Sequence, residues 1–206
     1  MPVSLAPGKR PVCARCLRPA SACICAWAVA VAHAVEVLIL QHPLEVSNPK
    51  GSARLLHLCL PGSQLLVGET FAKSQLQNLL AGKNNLLLYP DTPEPVAGIA
   101  APPAFDPSWT MQCDHLRLVV LDGTWRKSRK MLYQNSLLQS LPRLTLRATP
   151  PSHYLIRKAH APDQLSTLEA TCYALMQLSH EERCLQPLIA AFDGFVAQQL
   201  HALRRS

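Results

Sequence analysis

The sequence predicts an α/β fold: a mostly parallel sheet with helices on both of its faces. Three observations carry that expectation. Apolar runs of strand length alternate with helix-prone segments along the chain. One run, Leu118-Val119-Val120-Leu121, is apolar throughout and reads as a buried strand. It stops abruptly at Asp122-Gly123-Thr124-Trp125, and a basic, helix-prone segment follows at once. An acid, a glycine, a hydroxyl and a large aromatic thus sit where a strand hands over to a helix. In open α/β sheets that edge is where ligands bind.

Taken in order, strands are expected at Val35–Gln41, Gln64–Val67, Asn85–Tyr89, Arg117–Leu121 and Arg143–Arg147. Helices are expected at Ser52–Leu60, Lys73–Ala81, Trp125–Leu141, Ser166–Leu178 and about Pro187–Leu203. No internal repeat or heptad pattern interrupts the alternation. One segment breaks the rhythm: Asp91 to His115 carries five prolines, Pro93, Pro95, Pro102, Pro103 and Pro107. Such a loop is either a lid facing a substrate or a surface insertion. Two units are expected, a small element over residues 1–30 and a catalytic domain over residues 31–206.

The chain has 206 residues, 49% of them hydrophobic, enough for one sizeable core. Its formal charge of +7 suggests an anionic partner, nucleic acid first. The first residues show no apolar signal region. The longest apolar stretch, Ala26 to Leu40, is too short for a membrane span and contains His33 and Glu36. The expectation is a soluble cytoplasmic protein without a membrane partner; the oligomeric state stays open, a monomer included.

Four of the eight cysteines crowd into Cys13-x-x-Cys16 and Cys23-x-Cys25. Two such pairs can grip one tetrahedral metal, and zinc suits a closed, redox-silent site. A redox pair would want a strand and helix after Cys13, and none is expected there. Four thiolates and one zinc ion add −4 + 2 = −2, which lowers the formal +7 to +5. Cys59 and Cys172 lie in apolar helical contexts and read as core residues.

Asp122 is a catalytic candidate, although it or Thr124 can instead cap the helix that follows. Arg126, Lys127, Arg129 and Lys130 then place four cations in the first helical turns, where the helix dipole disfavours them. Arg126, Arg129 and Lys130 share a face by spacing and can hold phosphates; a solvated charged face is the alternative. Trp125 can stack on a base, but anchoring its helix to the sheet is the commoner role.

A second cluster is His153 to Lys158, followed by Leu165-Ser166-Thr167-Leu168-Glu169-Ala170. Ser166 and Glu169 fit a capping box. The same helix start favours an anion, with Arg157 and Lys158 as a cationic clamp. A third candidate, Asn48 to Arg54, offers Lys50, Gly51 and Arg54 at a strand-to-helix turn but lacks phosphate-loop spacing.

In order along the chain, these motifs resemble the DTW-domain family of tRNA-uridine aminocarboxypropyltransferases. The carriers are the cysteine cluster, His42-Pro43-x-Glu45, Ser52-x-Arg54-Leu55-Leu56, Leu88-Tyr89-Pro90, Asp122-Gly123-Thr124-Trp125, Tyr154-x-Ile156-Arg157-Lys158 and Leu165 to Ala170. One departure is Ser52-Ala53, where many members carry Thr-Gly. The resemblance implies a SPOUT-like fold whose carboxy-terminal knot holds S-adenosylmethionine. It also implies transfer of the donor's 3-amino-3-carboxypropyl group to N3 of a tRNA uridine, with methylthioadenosine released. Onto this chain it places S-adenosylmethionine against Tyr89, Pro90, Leu121, Gly123, Thr124, Trp125, Arg157, Lys158, Leu165, Ser166, Thr167 and Glu169. It places tRNA against Lys50, Arg54, Arg126, Lys127, Arg129 and Lys130, Asp122 at the reacting atoms, and structural zinc on Cys13, Cys16, Cys23 and Cys25. A SPOUT-type RNA methyltransferase using the same donor, and a non-catalytic zinc-bearing RNA-binding module, are the competing readings.

Overall fold

The computed structural model describes residues 11–90, 101–154, 156 and 165–204. Five strands form one sheet: β1 (Glu36–Gln41), β2 (Gln64–Val67), β3 (Asn84–Leu88), β4 (Leu116–Asp122) and β5 (Arg143–Leu144), in the order β2-β1-β4-β3-β5. Every pairing is parallel. Helices α1 (Ala53–Cys59), α2 (Lys73–Leu80), α3 (Trp125–Gln134), α4 (Ser136–Gln139), α5 (Thr167–Ser179) and α6 (Glu182–Arg204) complete the chain.

Alternation along the strands divides the core into two layers, because successive side chains point to opposite faces. Val37, Ile39, Leu86, Leu118 and Val120 pack with residues of α1, α5 and α6. Leu38, Leu40, Leu87, Val119 and Leu121 pack with Leu76 of α2, Met131 and Leu132 of α3 and Leu138 of α4. Helices therefore cover both faces, and β4 is buried at all seven positions. Burying an apolar side chain fully contributes about 1.5–3 kcal/mol, so this central strand anchors both layers.

Strand order fixes where a ligand can sit. The chain leaving β1 turns to β2 on one side of the sheet, whereas the chain leaving β4 passes β3 to reach β5 on the other. The connections diverge above the carboxyl ends of β1 and β4 and open a crevice there. Gln41 and Asp122 end these two strands and face each other in register.

The helix expected over 125–141 breaks at Asn135, which has φ −123° and ψ 90°. Its side chain accepts from Phe71 N at 2.9 Å and donates to Glu69 O at 2.9 Å and Met131 O at 2.6 Å. A side chain that satisfies backbone groups in this way competes with helical bonding. The last helix begins at Glu182, ahead of the expected Pro187, which lies inside it. Burial of Leu185, Leu188 and Phe192 in that region outweighs the one backbone bond a proline removes. Strand β5 is two residues long, shorter than expected.

Of the proline-rich stretch, residues 91–100 lie outside the described residues. Pro107–His115 forms 3-10 turns and runs directly into the amino end of β4. That part sits at the opposite end of the strand from Asp122, which excludes it as a lid over the strand-end acid. Among the described residues no helix is long and apolar enough to cross a membrane.

Residues 11–30 do not form a core of their own. Cys16 and Ile24 belong to the same buried cluster as α1, α5 and α6. Trp27 lies against α6 at Gly194, where an added Cβ would come within 2.2 Å of its ring. Its indole N–H donates to Gln198 Oε1, and Gln198 Nε2 donates to Cys23 O at 3.0 Å. The Arg18 guanidinium spans Pro49 O at 2.6 Å and Gly51 O at 2.8 Å and lies 5.1 Å from the Phe195 ring centroid.

Candidate active site and cysteine centre

Beyond the carboxyl ends of β3, β4 and β5 lies a cavity of about 550 Å³, within the range usual for small-molecule sites. Three separated stretches that the sequence singled out meet on its walls: Tyr89 and Pro90, Leu121 to Arg126 with Asp122 excepted, and Leu165, Ser166 and Thr167. Each stretch is an element end. Tyr89 follows β3, Gly123 and Thr124 link β4 to α3, and Ser166 caps α5.

Asp122 is the last residue of β4 and only 5% exposed. It does not line the cavity. Its Oδ2 accepts from Gln41 Nε2 at 2.8 Å, across the crevice. Its Oδ1 accepts from the Thr167 hydroxyl at 2.6 Å, and Thr167 does line the cavity. The acid therefore stands between crevice and cavity, with Thr167 touching both. It is not the helix cap: Thr124 is, accepting from Lys127 N at 3.4 Å. Gly123 fits the tight approach of the first α3 turn, since a Cβ there would meet Lys127 Cβ at 3.1 Å.

Of the two roles that the sequence leaves open for Trp125, anchoring its helix to the sheet does not hold. Trp125 is 56% exposed and forms part of the cavity wall, edge-on to Tyr89 with centroids 6.1 Å apart. The helix takes its anchors from Met131 and Leu132 instead. Burial pushes the Tyr89 phenol above its ordinary value, so it keeps its proton near neutrality.

Ser166 and Glu169 form the expected capping box. Glu169 is 1% exposed, and its carboxylate accepts from Ser152 Oγ at 2.9 and 3.0 Å, from His153 N at 2.6 Å and from Ser166 N at 2.7 Å. With those oxygens so occupied and turned away from the cavity walls, Glu169 holds the start of α5 rather than a ligand. Ser52, at the position where the motif departs from its common form, accepts from Leu168 N at 3.2 Å. That bond gives the 48–54 loop a defined role, supporting the first turn of α5. The Tyr154 hydroxyl donates to Lys50 O and ties the same loop to the segment before α5. Arg157 and Lys158 lie outside the described residues.

The four α3 cations are not equivalent. Lys127 pairs with Glu45 at 2.7 Å, and Lys130 with Glu69 at 2.9 Å. Arg129 lies over the Tyr133 ring, 5.4 Å from its centroid. Arg126 faces the cavity. Hydrogen bonds from Lys130 and then His42 hold the Glu69 carboxyl below its usual range. Arg54, on α1, is half-buried, and among the described residues no hydrogen bond or ion pair engages its guanidinium.

Sequence reasoning missed a fourth stretch of wall, Leu144 at the end of β5 with Thr145, Leu146 and Thr149 after it. The same strand-end rule that singled out Asp122 applies to β5 as well. Ser128 and Ala170, one turn into α3 and α5, were also missed.

The cysteine cluster is assembled as expected. The sulfurs of Cys13, Cys16, Cys23 and Cys25 all lie within 4.8 Å of one another, with Cys13–Cys25 at 3.6 Å and Cys16–Cys23 at 3.7 Å. A tetrahedron with zinc–sulfur bonds of about 2.3 Å has edges of about 3.8 Å, so the donor set fits zinc. Backbone N–H groups of Cys16 and Arg15 point at the Cys13 sulfur and lower its thiol to about 6, as a knuckle around a thiolate would. Cys59 and Cys172 are fully buried core residues, as expected.

Residues 10–200 match the family model described as DTW domain. The chain belongs to the DTW-domain family. It is 29% identical over 201 residues to tRNA-uridine aminocarboxypropyltransferase 2 of Macaca fascicularis, covering 93% of this chain and 64% of that protein. The proteins of the same name from Mus musculus and Drosophila melanogaster are also 29% identical, over 88% and 94% of this chain and 62% and 77% of theirs. The chain thus spans a little under two thirds of the two mammalian relatives. No solved structure matches it.

Proposed function

We propose that this protein transfers the 3-amino-3-carboxypropyl group of S-adenosylmethionine to N3 of a uridine in tRNA. One observation carries the reading: motif residues from three distant stretches, Tyr89–Pro90, Gly123–Trp125 and Leu165–Thr167, surround a single cavity, and the relatives this chain matches are named tRNA-uridine aminocarboxypropyltransferases. The strand order supports a SPOUT-like arrangement, with the carboxy-terminal knot part of the same proposal.

The donor, when bound, supplies a sulfonium whose departure as methylthioadenosine takes the carbon–sulfur electron pair with it. The chain's residues do the rest. Leu121, Leu165 and Tyr89 offer apolar surface, and the hydroxyls of Thr124, Ser166 and Thr167 offer hydrogen bonds. Trp125, exposed at the wall, is placed to stack on a planar ring. Holding donor and uracil in line at near-attack distance selects which sulfonium carbon reacts. Asp122 accepts the N3 proton as the nitrogen–carbon bond forms. Gln41 and Thr167 aim its carboxylate. Lys50, Arg54, Lys127, Arg129 and Lys130 provide cations for the tRNA backbone. Cys13, Cys16, Cys23 and Cys25 hold a structural zinc ion.

Incubating unmodified tRNA with the protein and S-adenosylmethionine, then resolving both nucleosides and by-product by mass spectrometry, tests this. Methylthioadenosine with an aminocarboxypropyl-uridine is the expected pair. S-adenosylhomocysteine with a methylated nucleoside would move the protein to the methyltransferase class, and RNA binding without either product to the non-catalytic one.

A further inference from the structure

The four α3 cations look interchangeable in sequence, and the structure separates them. Lys127 and Lys130 each have a carboxylate partner, and Arg129 lies over Tyr133. Among the described residues Arg126 has neither ion pair nor hydrogen bond, and it alone of the four lines the cavity. It is also the one charged residue among the described residues on the cavity wall. The remaining wall is apolar or hydroxyl-bearing, and Arg126 stands in the first turn of α3, where the helix dipole opposes a cation. An anion brought into the cavity would relieve that opposition and gain a guanidinium partner. A carboxylate entering such surroundings without a cation would lose hydration with little return.

We infer that Arg126 binds the α-carboxylate of the cavity's ligand and is not a contact to the tRNA backbone. This deepens the proposed function and rests on it, since the donor's transferred group carries that carboxylate. Arg126 is exposed at the cavity wall, and its guanidinium, once engaged by the carboxylate, would also set the direction of the aminocarboxypropyl chain. It would thereby help decide which sulfonium carbon meets the nucleophile.

The test is calorimetric titration of the full chain and its Arg126→Gln and Arg126→Lys variants with two thioethers. S-adenosylhomocysteine keeps the carboxylate; methylthioadenosine lacks the whole amino-acid chain. Arg126→Gln should weaken S-adenosylhomocysteine by about ten- to a hundred-fold, the worth of a hydrogen bond to a charged group. Methylthioadenosine affinity should stay unchanged, Arg126→Lys should fall between, and the salt dependence of tRNA binding should keep its slope. Equal weakening of both thioethers would overturn the assignment. So would unchanged S-adenosylhomocysteine affinity with a tRNA salt slope flatter by about one, the mark of a lost phosphate contact. Failure of the unmodified protein to bind either thioether would instead overturn the proposed function, and this ligand with it.

Discussion

Asp122 shows how one side chain can be legible in type and misjudged in setting. Its position at a strand end was readable, because an apolar run stopped there. Its partners were not, since Gln41 and Thr167 are 81 and 45 positions away in the chain. Those partners make a sharp substitution available. Asp122→Asn preserves the shape, and with Thr124 capping α3 no cap is lost. We expect unchanged thermal unfolding to within about 1 kcal/mol and a turnover lower by roughly 10²–10⁴. Single-turnover kinetics at saturating donor check this, and near-normal turnover would remove Asp122 from the chemistry. Trp125 carried two readings, since an aromatic at the start of a helix more often packs inward; its place on the cavity wall fits the one that the resemblance implies. Gly194 gave no sequence signal at all. Gly194→Ala improves helix propensity by about 1 kcal/mol, but the new methyl collides with the Trp27 ring. Overpacking costs about 1–3 kcal/mol, so we expect a net fall in melting temperature; a rise would mean that Trp27 is not seated there.

Among the elements, the strands and most helices were readable from periodicity to within a few residues, and the exceptions have physical causes. The break at Asn135 follows from its bonds to the loop before α2. Helix α6 starts ahead of Pro187 because buried leucines sustain its first turns. The cysteine element was readable as a set of four converging thiols that could hold a metal, but its attachment was not. Arg18 links it to Pro49 and Gly51, and Ser52, next in that loop, supports Leu168 at the start of α5. Metal loss should therefore reach the cavity. Protein purified without added zinc should carry about one equivalent. Chelation or Cys16→Ser should lower Tm by roughly 5–10 °C, a few kcal/mol for a domain of this size, and weaken S-adenosylhomocysteine binding. A metal-free protein with unchanged Tm would contradict the structural role.

Across the whole molecule, one parallel sheet brings to a single edge what the sequence scatters between Leu88 and Ala170. The order β2-β1-β4-β3-β5 explains why: it sets β4 centrally, with β1 on one side and β3 then β5 on the other. Local patterns specify strands but not their order, so the site's parts could be named from sequence while their meeting around one cavity could not. The excess positive charge also sorts at this scale. On the α3 basic face Lys127 and Lys130 pair with Glu45 and Glu69, whereas Arg126 lines the cavity. The central claim is that this edge presents the aminocarboxypropyl carbon of S-adenosylmethionine, and not its methyl carbon, to a uridine nitrogen. The most direct measurement uses two preparations of the donor, one isotopically labelled in the methyl group and one in the aminocarboxypropyl chain, each reacted with unmodified tRNA in a single turnover. Label from the chain should enter a uridine and methyl label should remain in methylthioadenosine; methyl label in the tRNA, with the chain label left in the thioether, would contradict the claim.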